Sequence, residues 1–161
     1  MEGNKEVILN SHNKEEHRPS HTAEHILNQT MVRMFSCSRS MNAHIEKKKS
    51  KCDYDLKEAP TEEQVKSIEE QVNKVISQNL MVSTEFLKKE DAAEIVDLRK
   101  LPADASETLR IVRIGDYDTC ACIGDHVENT SEIGTFKILS SDFSKEGNAE
   151  LGRWRVRWKL V

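Results

Sequence analysis

At 161 residues, with 32% charged, 37% hydrophobic and 5% aromatic side chains, the chain has the size of one domain spanning 1–161, with room at most for a small appendage, and its periodic apolar segments argue against a disordered protein. A formal net charge of −4 excludes a broadly basic nucleic-acid coat and leaves such contact to a local patch. No stretch has the length of a membrane span and Met1–Glu6 has no apolar signal core, so the expectation is a cytoplasmic protein whose four cysteines, Cys37, Cys52, Cys120 and Cys122, are reduced thiols.

In chain order, Glu6–Asn10 reads as a short strand. Pro19 suits a helical first turn and Ser20 its N-cap. The helix that follows carries Ala23, Leu27, Met31, Met34 and Phe35 as one apolar stripe. Met41–Glu46 and Cys52–Leu56 form a hairpin around the basic run Lys47–Lys51. Thr61 and Gln64 have capping-box spacing ahead of a helix with Val65, Ile68, Val72, Val75, Ile76 and Leu80 at helical period. A strand over Met81–Leu87, a short helix over Lys89–Asp97, a loop at Pro102 and a strand over Leu109–Gly115 come next. Glu132–Ser140 is a strand, and Gly147-Asn148 turns the chain into the last one. There Trp154, Val156, Trp158 and Leu160 point one way, and Arg153, Arg155, Arg157 and Lys159 the other. This cationic row is either a solvated face protecting an edge strand or a phosphate-contacting stripe.

The residues with distinctive chemistry come in two pairs. His21 and His25 stand one turn apart on a helix, about 40° apart around its axis, so both rings can reach one ion. Cys122 and His126 repeat that spacing nearly a hundred residues later, completing a tetrahedral set for one Zn²⁺. Cys120 is an alternative thiolate by residue type, but only Cys122 has four-residue spacing to His126. His12, His17 and His44 lack a spaced partner, although His44 lies in a hairpin able to line a pocket. Two chemistries are open. His21-x-x-Glu24-His25 is the order of the inverted zinc-peptidase motif, with Glu24 as base. Alternatively zinc holds a small polar substrate and Glu24 is a solvated or second-shell carboxylate. The second is preferred, because the first leaves Cys122 and His126 unexplained.

His21-Thr22-Ala23-Glu24-His25, followed by Cys122-Ile123-Gly124-Asp125-His126-Val127 and Thr130-Ser131-Glu132-Ile133-Gly134, resembles the editing domain shared by alanyl- and threonyl-tRNA synthetases. Cys52–Leu56 is similar to that family's Arg-Phe-Asp-Phe strand. In length the chain resembles the short stand-alone alanyl-tRNA editing proteins of the AlaX type. The resemblance implies an α/β (α+β) fold, with helices packed on an antiparallel sheet and zinc in a cleft. It implies hydrolysis in trans of the ester linking a wrong amino acid, serine or glycine, to tRNA for alanine. It assigns His21, His25, Cys122 and His126 to the metal, with Thr22 near the substrate. Asn42 takes the position of the family's substrate-binding Gln, His44 lies beside it, and Asp125 adds negative charge at the site. The acceptor end of the tRNA needs donors, which Arg153, Arg155, Arg157 and Lys159 or Lys47–Lys51 would provide. Seryl-tRNA for threonine as substrate, and a catalytically silent zinc- and tRNA-binding module, are the alternatives.

Overall fold

The computed structural model describes residues 17–96 and 107–161, so the expected strand at Glu6–Asn10, His12 and the Pro102 loop lie outside the described residues. Within them the chain is α+β, with helices α1 (Arg18–Phe35), α2 (Glu62–Ile76) and the short α3 (Lys89–Ala92) beside two antiparallel sheets. The larger sheet has the order β1-β2-β7-β6, from β1 (Asn42–His44), β2 (Ser50–Leu56), β7 (Gly152–Leu160) and β6 (Phe136–Ser144). The smaller has the order β3-β4-β5, from β3 (Val82–Lys88), β4 (Thr108–Ile114) and β5 (Asp118–Ala121).

Alternation in β2 and β7 builds the main core. Cys52, Tyr54 and Leu56 from β2 and Trp154, Val156 and Trp158 from β7 are buried on one face, against Ala23, Ile26, Leu27 and Met31 of α1 and Ile68, Val72 and Val75 of α2. The capping box of α2 forms as expected: Thr61 Oγ1 accepts from the Gln64 amide at 3.1 Å, and Gln64 Oε1 accepts from the Thr61 amide at 2.9 Å. This helix also covers the open edge of β6. Asn73 bonds both the amide and the carbonyl of Phe136, and Glu69 accepts from the Ile138 amide at 2.8 Å. Backbone groups that would otherwise invite another strand are thereby satisfied.

Four expectations are corrected. The α1 N-cap is His17 rather than Ser20, which lies one turn inside and bonds the His17 ring at 2.8 Å; Pro19 does occupy the first turn. Thr130–Glu132 forms a 3₁₀ turn, capped by Asn129 and Glu132 side chains, so the strand expected from Glu132 begins at Phe136. The strand β5 has no counterpart in the sequence reading. Finally, β7 is the centre of its sheet, paired with β2 and β6, so its cations do not protect an edge.

Burial of α1 is its unusual property. From Ser20 to Asn28 every residue is buried, so the polar side chains there need partners inside the protein. Asn28 illustrates the solution: its Oδ1 accepts from the Tyr54 hydroxyl at 2.6 Å and from the Ser40 amide at 3.2 Å, tying helix, sheet and connecting segment together. Replacing Asn28 by Ala strands both donors. We expect an unfolding free energy lower by about 2–4 kcal/mol in denaturant titration, and a smaller loss for Tyr54→Phe, which removes a donor with its bond.

Candidate metal centre

The register of α1 presents His21 and His25 toward the loop that leaves β5. That loop carries Cys122 and His126, and two contacts fix its path. The Arg110 guanidinium on β4 donates to the carbonyls of Cys122 (3.0 Å) and Gly124 (2.8 Å), while the Cys122 amide donates to the Arg110 carbonyl at 3.0 Å. From the other side the Val127 amide donates to Thr22 Oγ1 at 3.2 Å. The result is a group of four ligand atoms, one each from His21, His25, Cys122 and His126, all within 4.8 Å of one another. Tetrahedral zinc with these ligand types separates its donor atoms by roughly 3.3–3.6 Å, so modest closure of this group suffices.

Hydrogen bonds behind the rings set their tautomers. The Thr22 hydroxyl donates to the Arg18 carbonyl at 3.1 Å, so toward His126 Nδ1, 2.9 Å away, it acts as acceptor. His126 therefore carries its proton on Nδ1, which leaves Nε2 bare, buried and without a hydrogen-bond partner. His21 Nδ1 donates to the Asp125 carbonyl at 3.0 Å, and its Nε2 faces Cys122 Sγ at 3.4 Å. His25 Nδ1 faces the Asp118 carboxylate at 3.5 Å, an ion-pair distance rather than a hydrogen bond. The His21 and His126 rings stack at 4.2 Å, and His25 meets His126 edge-on at 4.5 Å.

Burial tunes the same groups. It lowers His25, and it holds His126 well below the ordinary imidazole range with help from the neighbouring His25 and His21, so both rings are in the neutral, ligating form at pH 7. Burial pushes the Cys122 thiol up to about 12, the position of a thiol that only a nearby cation would ionise. Burial alone would also raise Asp118. Its contact with His25 and its bonds from Arg39 (2.6 and 3.2 Å) instead hold it well below the usual carboxylate range, and Gln29 Nε2 donates a further bond at 2.8 Å. The orphaned His126 lone pair, the neutral imidazoles and the complete three-nitrogen, one-sulfur donor set fit zinc.

The other expected residues are placed as follows. Cys120 lies on β5, bonded to its neighbour's carbonyl, and Cys122 alone of the two joins the metal group. Thr22 is fully buried, its hydroxyl engaged behind His126 rather than directed at an open space. Glu24 is buried, so its reading as a solvated carboxylate is corrected. Asn42 and His44 lie on β1, exposed, where Asn42 donates to Asp53 at 2.9 Å and His44 pairs with Glu46. The exposed Asp125 side chain sits 3.9 Å from Arg18. Two of the four stripe cations have partners: Arg155 is bidentate on Asp53 (2.7 and 2.9 Å), and Arg157 meets Asp142 at 2.9 Å. Arg110 and the Arg39–Asp118 pair were missed. Each is a single charged residue in a strand or loop, with no spacing to mark it.

A family model described as the threonyl and alanyl tRNA synthetase second additional domain matches residues 109–157. Beyond that segment the chain is similar to several alanine–tRNA ligases. It is 35% identical over 136 residues to that of Ligilactobacillus salivarius, covering 84% of this chain and 15% of the relative. For Hyperthermus butylicus the figures are 35% over 131 residues, 79% and 14%, and for Staphylothermus marinus 33% over 151 residues, 88% and 16%. The chain thus spans 14–16% of the length of these relatives. Among the described residues no helix is long and apolar enough to cross a membrane.

Elemental analysis should find about one zinc per chain, lost in a His21→Ala, His25→Ala double variant; unchanged metal content in that variant refutes the site. Thr22→Val, which removes the acceptor behind His126, should weaken zinc by about 10- to 100-fold in chelator competition.

Proposed function

We propose that the chain, which resembles the second additional domain of alanyl-tRNA synthetases, hydrolyses the ester bond of mischarged aminoacyl-tRNA in trans, with seryl- or glycyl-tRNA for alanine as substrate. The observation that carries the reading is the convergence of His21, His25, Cys122 and His126, from segments about a hundred residues apart, into one group of ligating tautomers. Zinc held by these four residues would supply a fixed positive charge to the ester. An aminoacyl ester is already activated, so orientation supplies much of the remaining effect.

The surrounding residues act by holding the donors in place. Thr22 is a positioning residue that acts through His126, Arg110 fixes the Cys122 loop, and Asp118 with Arg39 and Gln29 backs His25. Asn42, His44 and Asp125 stay proposed substrate contacts. For the acceptor end of tRNA we propose the exposed face of the larger sheet. Strand register places Arg153, Arg155, Arg157, Lys159, Lys51 and Lys137 on that face, against Asp53, Asp55 and Asp142: six cations to three carboxylates, on a chain whose overall sign is opposite. Arg155 and Arg157 are held by carboxylates, which leaves Arg153 and Lys159 the stronger candidates for phosphate.

One observation favours a second reading. Four protein residues offer ligand atoms and would fill a tetrahedral shell, the pattern of structural zinc, which suits a module that binds tRNA without turning it over. Deacylation assays with metal-replete protein on Ser-, Gly- and Ala-tRNA for alanine and Ser-tRNA for threonine separate the two. Hydrolysis of the Ser or Gly ester in preference to Ala is expected; no turnover on any of the four leaves only the binding module. For the stripe, Arg153→Ala with Lys159→Ala should raise KM for tRNA by roughly threefold to tenfold at moderate salt, more than Arg155→Ala with Arg157→Ala. Unaltered KM in both pairs returns the stripe to a solvated face.

A further inference from the structure

The metal group has a buried carboxylate beside it that none of the contacts above employs. Glu24 lies on α1 between His21 and His25, and its side chain is 9% exposed. Among the described residues no hydrogen bond reaches its carboxylate. His21 Nε2, the same nitrogen that faces Cys122, lies 3.9 Å from its Oε1. Its charge is felt by Cys122 on the loop, Arg39 after α1 and Tyr54 on β2, so it stands where these three segments meet. None of these three side chains donates a hydrogen bond to it. Arg39 is bidentate on Asp118, and the Tyr54 hydroxyl donates to Asn28. The next carboxylate, Asp118, accepts three bonds, whereas Glu24 accepts none.

A carboxylate enclosed to this degree calls for a hydrogen-bond donor, and the described residues supply none. The fold retains this carboxylate directly beside the group that would bring a metal to an ester. A substrate of the proposed class carries one cationic group, the α-ammonium, one bond from the carbon that bears the scissile carbonyl. Its adenosine is neutral, and its phosphates would be repelled by Glu24. We propose that Glu24 receives the α-ammonium group of the aminoacyl ester and so selects substrates with a free amino group. This rests on the aminoacyl-ester reading above. It also gives the carboxylate a role that a counter-charge to zinc does not require.

The test is binding, so that it does not depend on turnover. The probes are 3′-serylamino-3′-deoxyadenosine, whose amide resists hydrolysis, and its N-acetyl form, each titrated calorimetrically into zinc-loaded protein. The wild type is expected to bind the free amine at least about tenfold more tightly, the scale of one charge-assisted hydrogen bond. Glu24→Gln should bring the two probes to within about twofold while keeping its zinc, and Glu24→Asp, which preserves the charge, should retain part of the preference. If Glu24→Gln does not fold, Glu24→Ala takes its place in the same titrations, and a full preference there overturns the proposal. A wild type that binds neither probe or does not discriminate, a Glu24→Gln protein that keeps the full preference, or one that loses zinc with the preference intact, each overturns it. Deacylation measured in parallel separates the layers. Discrimination that depends on Glu24 without ester hydrolysis defeats the hydrolase alone, and hydrolysis with discrimination indifferent to Glu24 defeats the proposal alone.

Discussion

Where a helix is buried on every side its polar side chains have no solvent to satisfy them, and the central part of α1 carries Ser20, His21, Thr22, Glu24, His25, Asn28 and Thr30 as buried residues. Most of the surrounding architecture answers this constraint. Asn28 is met by Tyr54 and Ser40, Thr30 by the Ile26 carbonyl and the Tyr117 hydroxyl, and Thr22 by Arg18, His126 and Val127. The smaller sheet contributes through its connections: Tyr117 lies in the turn ahead of β5, and His126 and Val127 in the loop after it. Among the described residues three buried side-chain atoms are left without a hydrogen-bond partner: His25 Nδ1 and His126 Nε2 belong to the metal group, and Trp158 Nε1 lies in the main core. Fold and candidate chemistry are therefore two outcomes of a single accounting of buried polar groups.

The larger sheet separates its two duties by face. Its inner side gives Trp154, Trp158, Tyr54 and Phe136 to the core, while its outer side carries an interleaved pattern of arginine, lysine and aspartate. Alternation along β7 alone suggested a uniform cationic row. Neighbouring strands change that picture, because Asp53 and Asp142 stand in register on either side of Arg155. Cross-strand pairing thus thins the free positive charge and shifts it toward the ends of the strand.

Elements that depend on local rules were readable in the sequence. The capping box of α2, the hairpin of β1 and β2 and the alternation of β7 each declare themselves within a few residues. The pairs His21/His25 and Cys122/His126 were legible because helix and loop spacing are chemical constraints, and the structure brings these side chains together. The division of strands between two sheets was not legible, since strand partnership is set by packing across distant segments. β5 has four residues, too few for alternation to register. The burial of Glu24 could not be read either. An amphipathic stripe predicts one dry face, whereas α1 is enclosed on the polar side too, by a loop that enters from a hundred residues away.

That distance has a consequence in biosynthesis. Asp53 and Arg155 are 102 residues apart in sequence, and His21 and Cys122 are 101 apart. At ribosomal rates of about 5–20 residues per second, the segment that completes either contact follows the first by roughly 5–20 s. Throughout that interval α1 lacks the partners that Tyr117, His126 and Val127 bring, and half of its ligand set is absent. A helix in that state has little reason to be stable alone, and two histidines hold zinc weakly. Metal capture is then a late event on the nascent chain, and a bound ion marks a polypeptide whose two halves have already found each other.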